Sequence, residues 1–503
     1  MHMLGMLAVT VALVPAPKEL VWRDGMCAVA EQDVRDVRDA ALPPEGYRLD
    51  ITPGGVTVAS ADDAGAFYAR KTLGQLRTFG AAGGGTPALP GRGAVPSATI
   101  LPCCEIKDAP AFRWRGFMLD EGRHFFGKEV VKRCLDQMAE YKLNVFHWHL
   151  TEDQGWRLDI PRFPELVKYG SVRPESVAHG STGVPGRDKP EKMRTNGQVY
   201  GPYYYTAADV REVLAYAAAR HIRVVPEIEL PGHAKALLAA HPEFSCTGTH
   251  PRHPAIFHGV QKEVLCAGNN AAIAFLEQVL DAVCELFPDA YVHIGGDECP
   301  KDAWKKCPKC QARIKAQGLK DENELQAWVT RHFTDYLAKK GRRAVGWDEV
   351  FAGNPGKDTV IQGWHIRHGN KFGLLAAEAG HPTIVSDLSS TYFSLPQGVA
   401  DDPFTYLSPG GRLTLEKAYS FDPYSGMTEK ARPHVIGAEC CMWSECTWNL
   451  YDLEFKLYPR FCAFAEVVWT APAAPRDYAD FARRMAVHRK RLIAAGVNCA
   501  PLE

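Results

Sequence analysis

The strongest constraint on the fold is an alternation of short apolar strands and long helical stretches that begins near residue 108. Eight segments read as strands: 112–121, 143–152, 222–231, 291–298, 344–350, 359–365, 383–387 and 435–443. Helical patterns lie between or after them, at 128–141, 207–220, 271–286, 322–340 and 453–469. Eight βα units in one continuous stretch predict a closed (β/α)8 barrel, the TIM barrel. A doubly wound open sheet is the alternative, but no Gly-x-Gly-x-x-Gly follows the first strand to support a nucleotide site.

A small α+β domain is predicted ahead of the barrel. Residues 47–77 read as two alternating strands joined by a Pro-Gly-Gly turn, followed by an amphipathic helix at 61–76. A loop rich in Gly and Pro then runs from residue 80 to about residue 97, where the composition shifts. We therefore expect an N-terminal accessory domain at 1–107 and a barrel domain at 108–503.

The charge balance excludes one class of partner. Lys and Arg total 58 and Asp and Glu total 59, so the net charge of -1 creates no field that would attract nucleic acid. The apolar segment at residues 1–15 lacks a Lys/Arg-rich start and is too short to cross a bilayer. It reads as a strand or as the remnant of a signal peptide, and we favour the strand. We expect neither a nucleic-acid partner nor a transmembrane segment.

The cysteines leave several alternatives open. The chain has fifteen, an odd number, so they cannot all pair. Cys246 and Cys266 bracket a loop rich in Pro, His and Gly, which makes a disulfide between them plausible. Cys299, Cys307 and Cys310 could hold a structural zinc, with Cys246 or a histidine as the fourth ligand. A disulfide or free thiols are equally compatible with that spacing.

Charged and aromatic residues gather where the predicted strands end. They are Asp120, Arg123, Glu152, Asp153, Trp156, Glu227, Glu229, His233, Asp297, Glu298, Trp347, Asp348, Trp364, Trp443 and Glu445. In a barrel these ends meet on one face, which is where barrel active sites lie. Indole rings stack on the apolar faces of pyranose rings, and carboxylates and Arg bind sugar hydroxyls. The collection therefore predicts a glycoside hydrolase.

Two histidines invite a metal site. His147 and His149 are two residues apart and share one face of a strand, as metal ligands can. Histidines packed in the barrel interior and bonded to carboxylates explain them without a metal. We favour the second interpretation and predict no metal at the catalytic centre.

An acidic doublet, Asp297 and Glu298, follows the strand that ends in Gly295 and Gly296. Adjacent strand residues point to opposite faces, so both acids reach one pocket only if the glycines distort the strand end. A retaining glycosidase usually needs two carboxyl groups about 5–5.5 Å apart across the scissile bond. Neighbours on one backbone stretch are poorly placed for that. If the substrate carries a 2-acetamido group, its oxygen can attack the anomeric carbon while Glu298 protonates the leaving oxygen.

The acidic doublet and several other stretches make the chain resemble glycoside hydrolase family 20, the β-N-acetylhexosaminidases. Residues 293–298 read His-Ile-Gly-Gly-Asp-Glu and are similar to the catalytic motif of the family. The other matching stretches follow in order along the chain: 115–125, 144–157, 226–233, 346–349, 362–364, 415–423 and 443–445. Residues 47–77 are similar to the accessory domain that precedes the barrel in this family.

The resemblance implies a retaining exo-β-N-acetylhexosaminidase that requires no cofactor. Such an enzyme removes terminal β-linked GlcNAc or GalNAc through an oxazoline intermediate. By the resemblance, Glu298 is the general acid/base, Asp297 orients the acetamido group and Tyr392 donates to the acetamido oxygen. A non-catalytic carbohydrate-binding barrel is the alternative, and the intact doublet argues against it. The usual substrates, glycans that end in N-acetylhexosamine, favour a secreted or periplasmic location and leave a cytoplasmic one open.

The resemblance also implies a substrate-binding set: Trp347, Trp364 and Trp443 around the N-acetyl group and ring, Arg123 and Glu445 at hydroxyls 3 and 4, and His233 and Glu152 behind the catalytic acids. Glu152 and Glu229 stand where Asp is common in the family. Ser394 stands where many members have an Asp that contacts the 6-hydroxyl region. We therefore expect altered binding at the outer edge of the terminal sugar, which could affect the preference for GlcNAc or GalNAc.

Overall fold

The structure is a computed structural model, and it describes residues 12–30, 33–80, 99–184, 189, 193–366, 369, 371–400, 402–404, 411–470 and 475–502. Most of the strand predicted at residues 1–15 lies outside the described residues, and its last four, 12–15, belong to no strand. Most of the predicted boundary loop at 80–97 also lies outside them.

A five-stranded sheet with one helix forms the N-terminal part. Its elements are β1 (Glu19–Val29), β2 (Val34–Arg38), β3 (Tyr47–Thr52), β4 (Gly55–Ser60), α1 (Asp63–Gly80) and β5 (Thr99–Asp108), with the sheet order β1-β5-β3-β4-β2. The predicted hairpin and helix correspond to β3, β4 and α1. Along β3, buried and half-buried residues alternate, because successive side chains of a strand point to opposite faces. The small α+β domain ahead of the barrel is therefore present, as predicted.

Eight parallel strands close into a barrel, as the sequence predicted. They are β6 (Trp114–Asp120), β7 (Val145–His149), β10 (Arg223–Glu227), β11 (Tyr291–His293), β12 (Arg343–Trp347), β13 (Val360–Gly363), β14 (Thr383–Val385) and β15 (Val435–Met442). A short hairpin, β8 (Thr151–Glu152) and β9 (Gly155–Trp156), stands beyond the end of β7. The strand predicted at 291–298 is shorter than expected, since Gly295 and Gly296 leave the extended conformation.

The helices surround the barrel, and one of them differs from the prediction. Their bounds are α2 (Lys128–Glu140), α3 (Glu165–Gly170), α4 (Ala207–Ala218), α5 (Lys235–Ala240), α6 (Asn270–Leu286), α7 (Asp302–Lys306), α8 (Pro308–Ala316), α9 (Glu322–Lys339), α10 (Phe372–Glu378), α11 (Leu388–Thr391), α12 (Leu415–Tyr419), α13 (Leu450–Leu457), α14 (Arg460–Trp469) and α15 (Tyr478–Ala494). The single helix predicted at 453–469 is two, α13 and α14. Pro459 separates them because it has no N–H for an intrahelical hydrogen bond.

Buried polar contacts attach the small sheet to the barrel near the start of β6. Arg115 Nη1 donates to Glu45 Oε2 over 2.9 Å, and Arg115 Nη2 donates to the Tyr68 hydroxyl over 3.1 Å. On the other side, Trp469 Nε1 donates to Asp108 over 2.9 Å. These contacts lie at the amino end of β6, so the carboxyl ends of the barrel strands point away from the small domain.

Candidate active site

The acidic doublet lies beyond the carboxyl end of β11, in a backbone that turns back on itself. Gly295 and Gly296 have φ of 61° and 99°, and Glu298 itself has φ of 47°. The left-handed region is costly for a residue with a side chain, so Glu298 is held in a strained conformation. The turn places both carboxyl groups on one pocket, as the two glycines led us to expect.

His233 lies between the two acids. Its Nε2 is 3.5 Å from Asp297 Oδ2 and 3.6 Å from Glu298 Oε2. Its Nδ1 is 2.7 Å from Glu152 Oε1 and 3.1 Å from Asp153 Oδ2. Burial opposes the charged form, but the carboxylates of Glu152 and Asp297 hold the pKa of His233 well above its ordinary value. A protonated imidazole therefore joins the doublet to a second pair of acids.

The two acids of the doublet differ in exposure and in environment. The side chain of Asp297 is 11% exposed, whereas that of Glu298 is 41% exposed and reaches the opening of the pocket. Burial raises the pKa of Glu298 above its ordinary value; the charge of His233 opposes this, and the charge of Asp297 adds to it. The repulsion between the neighbours thus acts in the expected direction, but desolvation is the larger cause. A carboxyl group with a raised pKa suits proton donation.

Arg123 closes one side of the pocket. Its Nη2 is 3.1 Å from Glu152 Oε2, and its Nη1 is 3.4 Å from Asp120 Oδ2. Its guanidinium carbon lies 5.1 Å from the centre of the Trp443 ring. Burial opposes the charge of Arg123, yet Glu152, Asp120 and Glu445 together hold its pKa well above the ordinary value. Glu445, the predicted partner of Arg123 in sugar binding, is therefore close enough for its charge to act on the guanidinium.

Four aromatic side chains form the other side. Trp347 and Trp443 have ring centres 5.5 Å apart, and Trp364 stacks on Tyr392 with centres 6.3 Å apart and an interplanar angle of 11°. Burial raises the pKa of Tyr392 well above its ordinary value, and the charge of Asp297 adds to this effect. The hydroxyl of Tyr392 therefore stays protonated at neutral pH and can donate a hydrogen bond into the pocket.

A buried polar layer supports the pocket from inside the barrel. His147 Nε2 lies 2.9 Å from Glu227 Oε2, and its Nδ1 lies 2.7 Å from Glu439 Oε1. His149 Nε2 is 3.5 Å from the same Glu227 oxygen, and Trp347 Nε1 donates to the other oxygen over 2.9 Å. Both histidines are thus packed inside the barrel against carboxylates, which is the interpretation that the sequence favoured.

The structure places three further acids at or beneath the pocket, of which the sequence pointed to Asp153 only as one of the charged residues at the strand ends and gave no role to Glu349 or Glu439. Asp153 holds His233, and Glu349 Oε2 accepts a hydrogen bond from Trp364 Nε1 over 3.0 Å. Glu439 lies within β15, and its contact with His147 joins β15 to β7. A lone carboxylate in the otherwise apolar run of β15 was the available signal for Glu439, since an isolated buried charge needs a partner.

A cavity of about 360 Å³ adjoins the doublet and is lined by Glu298, Glu349, Lys301 and Phe372, among others. A second cavity of about 290 Å³, lined by Arg342 and Lys357 among others, lies at the amino end of β12 and away from these acids. The lining of the first cavity includes Glu298 but not Asp297 or Tyr392, so this cavity adjoins the pocket of the doublet and does not contain it.

The cysteine predictions need correction. All fifteen cysteines lie among the described residues, and none of them is in a disulfide, so Cys246 and Cys266 are not bonded to each other. Cys299 is not part of the thiol cluster. The sulfurs that lie close together are those of Cys246, Cys266, Cys307 and Cys310. The error arose because Cys299 is near the pair in sequence, whereas Cys266 approaches it only in the folded chain.

The structure is a (β/α)8 barrel that carries paired carboxyl groups and aromatic side chains at the carboxyl ends of its strands. This combination is typical of barrel glycoside hydrolases. The family model for the catalytic domain of glycosyl hydrolase family 20 matches residues 112–472, and the model for domain 2 of the same family matches residues 23–109. The chain belongs to glycosyl hydrolase family 20, which confirms the resemblance seen in its motifs. Enzymes of this family need no cofactor.

Similar proteins agree with this assignment. A β-hexosaminidase of Porphyromonas gingivalis is 39% identical over 466 residues, which are 92% of this chain and 55% of that protein. A β-hexosaminidase of Akkermansia muciniphila is 33% identical over 96% of this chain and 90% of its own length. The chain thus spans about half of the first relative and most of the second.

Solved structures show the same architecture over nearly the whole chain. The β-N-acetylhexosaminidase of Bacteroides fragilis is 30% identical with a TM-score of 0.79, and 97% of each chain is covered. An exo-β-N-acetylglucosaminidase of Vibrio harveyi, in complex with N-acetylglucosamine, is 29% identical with a TM-score of 0.82 over 98% of this chain and 79% of that one. Among the residues that our structure describes, every helix is too short or too polar to span a membrane.

Proposed function

We propose that the protein is a retaining exo-β-N-acetylhexosaminidase that removes terminal β-linked GlcNAc or GalNAc from glycans with the help of the acetamido group of the substrate. One observation carries the proposal. Asp297 and Glu298 both lie within 3.6 Å of one nitrogen of His233, in a pocket with Tyr392 and three tryptophans. Two neighbouring acids that reach the same nitrogen are poorly placed to act as nucleophile and acid on opposite sides of a glycosidic bond. They can serve two neighbouring groups of one sugar.

In the first step, the acetamido oxygen of the substrate attacks the anomeric carbon, and the bond to the leaving oxygen breaks. Glu298 transfers its proton to that oxygen, a role that its raised pKa supports. Asp297 accepts a hydrogen bond from the acetamido N–H and stabilises the positive charge that grows on the group. The protonated hydroxyl of Tyr392 donates to the acetamido oxygen and orients it. The product of this step is a bicyclic oxazoline in its N-protonated, oxazolinium form, whose N–H stays hydrogen-bonded to Asp297.

In the second step, water attacks the anomeric carbon, and Glu298, now a carboxylate, takes its proton. The bond between the anomeric carbon and the oxazoline oxygen breaks, and the acetamido group is restored. Two inversions give overall retention of configuration. The protonated His233 steadies the carboxylate of Glu298 between the steps.

The remaining predicted residues bind the sugar in this proposal. Trp347, Trp364 and Trp443 enclose the N-acetyl group and the ring. Arg123 and Glu445 bind hydroxyls 3 and 4, and the contact between Arg123 and Glu152 fixes the guanidinium for that purpose. The substrates are glycans that end in N-acetylhexosamine. The proposed domain limits, 1–107 and 108–503, are supported by the two family matches at 23–109 and 112–472.

Hydrolysis of 4-nitrophenyl N-acetyl-β-glucosaminide tests the activity, with the corresponding β-glucoside as control. We expect turnover of the first and almost none of the second, which lacks the acetamido group. Binding of N-acetylglucosamine without turnover would instead establish the carbohydrate-binding barrel and refute the enzyme.

Two variants test the division of labour. Glu298→Gln should lose about 10²–10⁴-fold in kcat on substrates with poor leaving groups, but far less on an activated aryl leaving group that needs no proton. Asp297→Asn should lose rate on both kinds of substrate, because the acetamido group displaces either leaving group. A thiazoline analogue of the oxazoline should inhibit the wild-type protein strongly. Failure of that inhibition, in an active enzyme, would rule out substrate assistance.

A further inference from the structure

Four cysteine sulfurs meet at one point beside the barrel. Sγ of Cys266 lies 3.6 Å from that of Cys307 and 3.7 Å from that of Cys310, and Cys246 Sγ lies 3.9 Å from Cys310 Sγ. All four sulfurs are within 4.8 Å of one another. Three of the residues are buried, and Cys246 is half-buried. The four thiols therefore form a compact, nearly closed group.

These distances fit one chemical arrangement better than its alternatives. In a tetrahedral zinc–thiolate centre with Zn–S bonds of about 2.3 Å, neighbouring sulfurs lie about 3.8 Å apart. Two disulfides would bring the sulfurs of two pairs to about 2.05 Å from each other and leave sulfurs of different pairs farther apart. Thiols that merely fill a core have no reason to converge in a group of four. We propose that Cys246, Cys266, Cys307 and Cys310 bind one structural Zn²⁺ as thiolates, releasing their protons to solvent.

The chain around the cluster has the form of a metal-binding knuckle. Cys307 and Cys310 stand three positions apart at the start of α8, where Cys307 precedes the Pro at the first helical position. The opposite pair comes from the segment after α5, in which Ser245 and Leu265 pair as an antiparallel bridge. A side chain at Gly268 would overlap the backbone of Lys309. The two segments are thus pressed together at the cluster, which is what four fixed ligands require.

The zinc site would lie between two loops that carry residues of the candidate active site. The segment that carries Cys246 and Cys266 follows the β10 loop of His233, and α7 and α8 follow the doublet of Asp297 and Glu298. Trp304 of α7 already donates from Nε1 to Leu265 O across the two segments over 2.9 Å. A zinc ion at the cysteines would lock together the two loops whose residues meet at 3.5–3.6 Å in the pocket. The proposed metal is structural and takes no part in hydrolysis.

Metal analysis of the full chain tests the proposal directly. We expect one zinc per chain by inductively coupled plasma mass spectrometry after purification without added chelator or affinity metal. X-ray absorption should give four sulfur neighbours at about 2.3 Å, and protein grown with Co²⁺ should show tetrahedral thiolate bands. These measurements do not involve activity, so they stand or fall independently of the proposed function. Iron in place of zinc would overturn the assignment of the metal.

Substitution identifies the ligands. Cys307→Ser and Cys310→Ser should reduce bound zinc at least tenfold and lower the unfolding temperature. Cys299→Ser is the matched control, because it is a buried cysteine of the same stretch whose sulfur lies outside the cluster; it should retain one zinc. Should the ligand variants fail to fold, the cobalt spectrum of the wild-type chain still decides.

A thiol count excludes the disulfide alternative. Chelation in denaturant without reductant should release zinc and expose all fifteen thiols. Four thiols fewer would reveal two disulfides and overturn the proposal. Fifteen thiols with no metal in the native protein would overturn it equally.

Discussion

Replacing Gly295 by Ala should strongly destabilise the protein, because this glycine is required for two separate reasons. Its φ of 61° lies in the left-handed region, where a Cβ costs about 1–2 kcal/mol. That Cβ would also lie 2.9 Å from Glu229 Oε1 and closer still to the rest of the carboxyl group. Glu229 would have to move away from His149, although its Oε1 now lies 3.3 Å from His149 Nε2. Losing a buried hydrogen bond to a charged group costs about 1.5–3 kcal/mol, so we expect a total loss of about 2.5–5 kcal/mol.

Gly318 provides the matched control. Its φ is 63°, nearly the same as that of Gly295, but a Cβ there would have no atom within 4 Å. Gly318→Ala should therefore lose only the backbone cost of about 1–2 kcal/mol. The assay is equilibrium urea unfolding followed by tryptophan fluorescence, together with the rate of hydrolysis per folded molecule. Asp297 is two residues from the substitution, and a shift of 1 Å can cost about a hundredfold in rate. Equal loss of stability in both variants would refute the argument that Glu229 fills the space beside Gly295.

Three further predictions concern the charges that position the site. His233→Gln should lower kcat about a hundredfold through misplacement of the acids. It should also move the basic limb of the kcat/KM profile to higher pH, since the charge of His233 opposes the raised pKa of Glu298; a limb that moves to lower pH would contradict this. Burial opposes the charge of His147, but its two carboxylate partners raise its pKa from 6.5 to about 9. Its charge therefore contributes stability that is complete below pH 6.5 and is lost as the pH rises through 9. His147→Gln should flatten that decline, which amounts to about 3 kcal/mol, in urea unfolding at several pH values. Arg115→Met should cost about 3 kcal/mol by leaving Glu45 without its buried partner, with activity per folded molecule unchanged; a loss within error in thermal unfolding would contradict it.

Much of the barrel could be predicted because its signals are local. Each strand is a short apolar run with its own flanking turn, so eight of them could be counted without knowing how they pair. The doublet was equally local, since Gly295, Gly296, Asp297 and Glu298 are consecutive. The closure of the barrel followed from the count, as eight parallel strands in sequence have few other ways to bury both faces.

What escaped prediction depends on contacts between distant segments. Glu439 bonds His147, 292 positions away, and no local pattern in β15 announces that partner. Cys266 joins Cys307 and Cys310 only after the loops beyond β10 and β11 have folded against each other. The broken helix at Pro459 is a different case, because the signal was local and the continuous apolar pattern concealed it.

The environment of the doublet also explains how so many acids share one pocket. Burial raises the pKa of Glu229 well above its ordinary value, and the charges of Asp297 and Glu227 add to the effect. Burial and the charge of Asp297 do the same to Glu349. Both groups are therefore easier to protonate than an ordinary glutamate, which lessens the negative charge that would otherwise repel Asp297. With the protonated His233 on its other side, Asp297 can face the substrate, while Glu298, its neighbour in the chain, has the raised pKa that suits proton donation to the leaving group. The different roles of the two acids depend on which side chains surround each of them, because the doublet alone would distinguish its two members only by one methylene.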